Sequence, residues 1–239
     1  MATAKRPQLK KAISPVGTAS FPKLNAPDTK FKANGEYSTK LFFDPEQIEA
    51  AIEQIEAEKA AAFEAEKAQL EADVKAAAPK DKVKLQAKLR AMKMGDNSPY
   101  GEVYDNETGE PTGQMFMKFS SNARVIREGK PDLILKPDFF SASGKEIKVP
   151  PEIWGGSKLA IAYSLQPYNT PAAGFGMKLR LDAVQIHELS NGAKKGAAGY
   201  GFGQSEEGYE APEDDGDGSP FAGSGDEASA GTPGKNDDF

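Results

Sequence analysis

The chain has 239 residues, no cysteine, a single histidine and a net charge of −6 at pH 7. Disulfides, thiolate metal sites, cysteine nucleophiles and histidine-rich zinc sites are thereby excluded, and no run approaches the roughly 18 apolar residues of a membrane span. The charge is unevenly divided: residues 204–239 carry eleven acidic side chains against Lys235, a net −10, whereas residues 1–203 carry a net +4.

The opening Met1-Ala2-Thr3-Ala4-Lys5-Arg6 lacks the apolar run of a secretory signal, so a soluble intracellular protein is expected. Short strand pieces are expected at Ala12-Ile13-Ser14 and Ala19-Ser20-Phe21, around Pro15 and Gly17. Tyr37 to Phe43 has strong strand propensity. Asp44-Pro45-Glu46-Gln47 then reads as a helix start, with Asp44 as N-cap, Pro45 in the first turn and Gln47 three residues after the cap. From Pro45 to Ala78 the chain is nearly all Ala, Glu, Gln, Lys and Leu. A sparse apolar stripe of Ile48, Ile52, Ile55, Phe63, Leu70 and Val74 predicts a helix of about 34 residues. Pro79 should break it, and Asp81 to Met94 reads as a shorter helix folding back, making a helical insert over 45–94. The apolar spacing sustains no heptad, which argues against a free coiled-coil arm.

A second strand-rich block follows Asn97-Ser98-Pro99. Strands are expected at Met115–Phe119, Asp132–Lys136, Lys145–Val149, Lys158–Leu165 and Met177–Leu181. Met177, Leu179 and Leu181 share one face, but Val184 and Ile186 fall out of phase with them, so a bulge is expected near Asp182 or Ala183. His187 belongs to this alternating segment and reads as a surface residue. From Ser190 the signal fades, and 204–239 has the low hydrophobicity and high charge of a disordered tail. The division expected is a strand-rich domain over 1–203 and an acidic tail over 204–239.

Without the insert and the tail, the strand blocks carry a net +5. Phe116 and Lys118 share a strand face, as do Lys178 and Arg180, and Arg124, Arg127, Lys145, Lys148 and Lys158 lie between or beside them. Phe139, Phe140, Trp154, Tyr163 and Tyr168 are interleaved. Cations with flat rings suit single-stranded nucleic acid, which offers phosphates and unstacked bases. Any one ring can equally be core, and Tyr163 shares its face with Leu159, Ile161 and Leu165. Gly155-Gly156-Ser157-Lys158 lacks the spacing of a phosphate-binding loop. Asp105, Glu107, Glu110, Asp132 and Asp138 form no recognisable metal or acid–base pair, so neither catalysis, a metal nor a cofactor is expected. A competing reading is an interaction scaffold that uses the helical insert.

Gly155-Gly156-Ser157-Lys158-Leu159 through Tyr163-Ser164-Leu165-Gln166-Pro167-Tyr168, then Lys178-Leu179-Arg180-Leu181 to Glu188-Leu189, resembles the last two strands of the single-stranded DNA-binding proteins of T7-like bacteriophages. The order of strand, helical insert, strands and acidic tail ending in Asp237-Asp238-Phe239 is similar too. The resemblance implies a five-stranded OB-fold barrel capped by the helical hairpin, mainly β with an α insert. It implies no enzymatic activity and a role in phage DNA replication, recombination and repair within the cytoplasm of the infected bacterial host. It further implies a homodimer, no membrane association, and a tail whose Asp237, Asp238 and Phe239 contact the replicative DNA polymerase and the helicase-primase. Tyr168 matches a ring associated in that family with DNA binding. The insert here is longer and richer in Ala and Glu, and the tail is richer in Gly.

Overall fold

The computed structural model describes residues 9–190. In chain order its elements are β1 (Lys11–Ile13), β2 (Gly17–Asp28), β3 (Glu36–Phe43), α1 (Pro45–Ala76), α2 (Pro79–Ala91), β4 (Tyr100–Tyr104), β5 (Pro111–Asn122), β6 (Arg124–Val125), β7 (Leu133–Ile134), β8 (Asp138–Ser141), β9 (Lys158–Thr170) and β10 (Gly174–Glu188). The fold is mainly β, with two helices inserted between β3 and β4. Among the described residues, no helix is long and apolar enough to cross a membrane. The acidic segment 204–239, with Asp237, Asp238 and Phe239, lies outside the described residues.

Antiparallel pairing joins β2 to β3, β3 to β5, and β9 to both β2 and β10. A parallel pairing of β5 with β10 completes a ring in the order β2-β3-β5-β10-β9. Short strands extend it: β1 lies on β9, β4 on β5 and β8 on β10. Strict alternation sends Leu41, Phe43, Met117, Phe119, Ile161 and Leu179 inward, all almost fully buried, each such side chain contributing about 1.5–3 kcal/mol by leaving water. Tyr163 is buried with them, its ring 5.3 Å from that of Phe119. The phase break in β10 is a bulge: Leu181 pairs with Tyr163 and Ala183 with Ala162, so Val184 and Ile186 return to the core.

At the start of α1 the Asp44 N–H donates to the Gln47 side chain at 3.0 Å, satisfying an otherwise unpaired donor. Ile48 and Ile55 are completely buried and join the core of the sheet. Lys59 continues their row one turn on and is buried too, its ammonium 3.6 Å from Glu56, so its methylene stem does the packing. Farther out, Phe63 meets Phe175 edge-to-face at 5.4 Å. Past Phe63, Glu66 accepts from Asn169 of β9 at 3.0 Å, and the rest of α1 is about as long as α2. The chain then returns to the same place, with Phe175 N–H bonded to Lys93 O and Gly95 N–H to Phe175 O.

Three expectations need correction. Pro79 stands in the first turn of α2 rather than between the helices, and α2 stops at Ala91, short of Met94. Lys145–Val149 is not a strand: the adjoining edge of β10 is taken by β8, leaving only a bridge between Phe140 and Glu146. In Asp132–Lys136 only Leu133–Ile134 pair, and they do so with β6 in a separate small hairpin.

Candidate nucleic-acid interface

The inward residues of β3 and β5 leave a complementary set on the outside. Register places Phe42 opposite Phe116, Lys40 opposite Lys118 and Ser38 opposite Ser120, so two rings and two ammonium groups face each other on one exposed surface. The Lys40 ammonium sits 4.3 Å from the Phe116 ring centroid, which keeps it over the aromatic face.

Three adjoining hollows cross this surface. The central one, about 620 Å³, is lined by Phe21, Lys40, Phe42, Tyr104, Phe116 and Lys118 among others. It shares Ser20, Phe21 and Phe42 with a hollow of about 550 Å³ that reaches Lys23 and Trp154. On the other side it shares Lys118 with one of about 210 Å³ that contains Lys32, Glu36, Tyr168 and Lys178. Tyr168 can lie against β10 because its partner is Gly176: a Cβ there would fall 2.4 Å from the Tyr168 ring. Beside this track, residues 29–35 join β2 to β3 and carry Phe31, 85% exposed, with the Lys30 ammonium 5.4 Å from its ring.

Ion pairing grades the cations. Glu36 accepts from both Lys32 and Lys178, the latter at 3.3 Å. Burial by itself would raise the Glu36 carboxyl, but the two ammonium groups outweigh it and hold the group below its ordinary range. Lys178 is lowered chiefly by burial, against the pull of Glu36, with Lys32 and Lys118 adding repulsion. A carboxyl depressed on folding contributes stability above its unfolded value and loses it as pH falls through the lower folded value. Glu36→Gln should therefore flatten the dependence of melting temperature on pH below about pH 5. An equally steep profile in the variant would show that other carboxylates carry the acid sensitivity.

Of the residues anticipated from sequence, Phe116, Lys118, Trp154, Tyr168 and Lys178 line the connected hollows. Lys158 borders them, donating to Thr18 at 2.7 Å. Arg180 is on the outer face of β10, held by Asp182 at 2.9 Å and by Ser164 at 3.2 Å. Arg124 and Arg127 stand apart on the β6–β7 hairpin, bonded to Asp132 and to the Pro131 carbonyl. Lys145 and Lys148 are exposed and line none of the three hollows. Sequence reasoning passed over Phe21, Lys32, Lys40, Phe42 and Tyr104. For Lys40 and Phe42 a signal existed: they alternate with Tyr37, Thr39, Leu41 and Phe43 in β3.

A profile of the family described as single-stranded DNA-binding protein, bacteriophage T7, matches residues 16–189. The single-stranded DNA-binding proteins of Enterobacteria phage T3 and Escherichia phage T7 are 35% and 34% identical to the chain over 88 residues. Each alignment covers 36% of this chain and 37% of the relative, little more than a third of its length. The crystal structure of gp2.5, a single-stranded DNA-binding protein encoded by bacteriophage T7, superposes with a TM-score of 0.60 at 24% identity. That superposition covers 86% of this chain and all of the other, and shows a shared fold.

Proposed function

The chain belongs to the bacteriophage T7 single-stranded DNA-binding protein family, and we propose that it binds single-stranded DNA without strong sequence preference, as a non-enzymatic protein of phage DNA replication, recombination and repair in the cytoplasm of the infected host. The observation that carries this is the matched pairing of Phe42 with Phe116 and Lys40 with Lys118 at the centre of a continuous groove. Bases stack on rings whatever their identity, while phosphates need cations at intervals along the path. The ring order, with β5 and β10 parallel, supports reading the barrel as a five-stranded OB fold. Oligonucleotides bind such folds on the face of the second and third strands, here β3 and β5, and on the loops around residues 29–35 and 171–173.

Three ammonium groups, those of Lys32, Lys118 and Lys178, gather round the single carboxylate Glu36. A backbone phosphate would relieve that crowding. The net −10 segment 204–239 can supply such charge from within the chain, and we read it as a competitor for the groove that DNA displaces. Asp237, Asp238 and Phe239 are then free for the replicative polymerase and the helicase-primase, with a homodimer as the working assembly.

A gel-shift comparison of one oligonucleotide as single strand and as duplex, with chains 1–239 and 1–203, tests the proposal. A large preference for the single strand is expected, with affinity falling by ~0.7 log units per phosphate contact per decade of salt, and the shorter chain should bind more tightly. Equal affinity for both DNA forms would favour the scaffold reading, and unchanged affinity on truncation would remove the competitor role of the tail.

A further inference from the structure

We infer that the hollow between Phe21 and Trp154 is a stacking subsite for one unpaired nucleobase. The inference rests on the reading of the chain as a single-stranded DNA binder and adds a particular base position to it.

Phe21 is 85% exposed, and among the described residues it is the only non-glycine with positive φ, at 46°. That region is costly for a residue with a side chain, and a bulky aromatic there needs a reason beyond chain reversal. The local cause is a register shift between Ser20 and Lys23, which removes residues 21 and 22 from the pairing with β3 and turns the ring outward. Core packing does not hold it there. Trp154 is likewise 52% exposed.

The two rings belong to segments fastened to each other. Asn25 of β2 donates to Pro151 O at 2.7 Å and accepts from the Ile153 N–H at 3.0 Å. Ala19 N–H donates to Ser157 O and Gly156 N–H to Ala19 O, both at 2.8 Å. These bonds bracket Trp154 on either side in sequence and fix it against the strand that carries Phe21. The result is a cleft of about 550 Å³ that also presents Phe42 and Pro22.

Its chemistry is that of a flat apolar ligand with an anionic edge. Rings and Ile153 supply the lining, while Lys23 lies on it and Lys158 is bonded to its Thr18. A nucleobase stacked in the cleft would leave its flanking phosphates near these two cations. The strand would continue past Phe42 into the central hollow, which shares that ring.

Trp154 is the single tryptophan of the chain, so its emission reports on this cleft alone. The full chain is titrated with oligothymidylate and with an oligomer of abasic sugars bearing the same number of phosphates. Binding is followed by anisotropy of a labelled copy and, with unlabelled oligomer, by tryptophan emission. Oligothymidylate should quench emission in step with occupancy, and the abasic oligomer should bind with emission near that of the free protein. Phe21→Leu should weaken oligothymidylate binding by roughly 5- to 150-fold, the worth of one stacked base, and leave the abasic oligomer's affinity unchanged. Binding of oligothymidylate without a change in emission, or equal quenching by the abasic oligomer, overturns the subsite alone. Failure of both oligomers to bind overturns the parent reading and the subsite with it.

Discussion

Replacing Lys40 and Lys118 together with glutamate should lower affinity for a single-stranded oligonucleotide by roughly three orders of magnitude at 0.1 M salt. The estimate follows from ~0.7 log units per phosphate contact at that salt, doubled because each reversal puts repulsion where attraction was. The two side chains stand opposite each other on β3 and β5, so both lie on the same stretch of the proposed path. Both are exposed, and neither substitution opens a cavity, so the melting temperature should scarcely move. The matched control is Lys80→Glu with Lys82→Glu, which makes the same change in net charge on the exposed helix α2 rather than on the sheet. If both pairs lose affinity equally, the effect is one of overall charge and the groove assignment is wrong.

Leu179→Ala should cost about 2–5 kcal/mol of folding stability, the range for a buried leucine whose neighbours cannot collapse into the space. For a domain of this size that corresponds to a melting temperature lower by roughly 4–20 °C. Leu179 is fully buried on β10, opposite Phe119 of β5 and Leu165 of β9, so it sits where the ring closes. The contrasting substitution is Val83→Ala on α2, a helix with no buried residue, where the change should stay within about 0.5 kcal/mol. Calorimetry on the two variants decides whether the ring is the stabilising unit and the outer hairpin an appendage. A comparable loss at Val83 would show that α2 packs in solution against something else.

Segments whose local chemistry leaves one option were readable in advance. The Asp44-Pro45 helix start, the long Ala/Glu-rich helix and the β3 strand are of this kind. So is the bulge after Leu181, because the apolar phase changes there and a buried face tolerates no slip. Lys145–Val149 has the alternation of a strand but turns back onto β8 through a single bridge, Phe140 to Glu146, rather than a ladder. β4 and β8 are strands because β5 and β10 offer them edges, a condition no five-residue window contains. The groove divides the same way. Phe116 with Lys118, and Lys178 with Arg180, share a face through nearness in sequence. Lys40 meets Lys118, and Phe42 meets Phe116, only through a register that the core-facing side chains impose. From its sequence Phe21 belongs to an ordinary strand, since its exposure depends on a register shift between Ser20 and Lys23 that alternation does not encode.

That distortion also bears on self-association. Beyond Thr18, β2 has β3 as its only strand partner among the described residues, so its other side would be a long unpaired edge on which a second chain could build. The bulge at Phe21 breaks the flatness of that edge, Pro22 and Pro27 remove two of its donors, and the 151–153 segment covers it at Asn25. β1, β4 and β8 keep only three, five and four residues each, too short to template a sheet. The proposed function would bring copies of the chain together on one strand of DNA, where a free sheet edge would favour pairing between them. The kink that turns the Phe21 ring outward also makes β2 a poor seed for edge-to-edge aggregation.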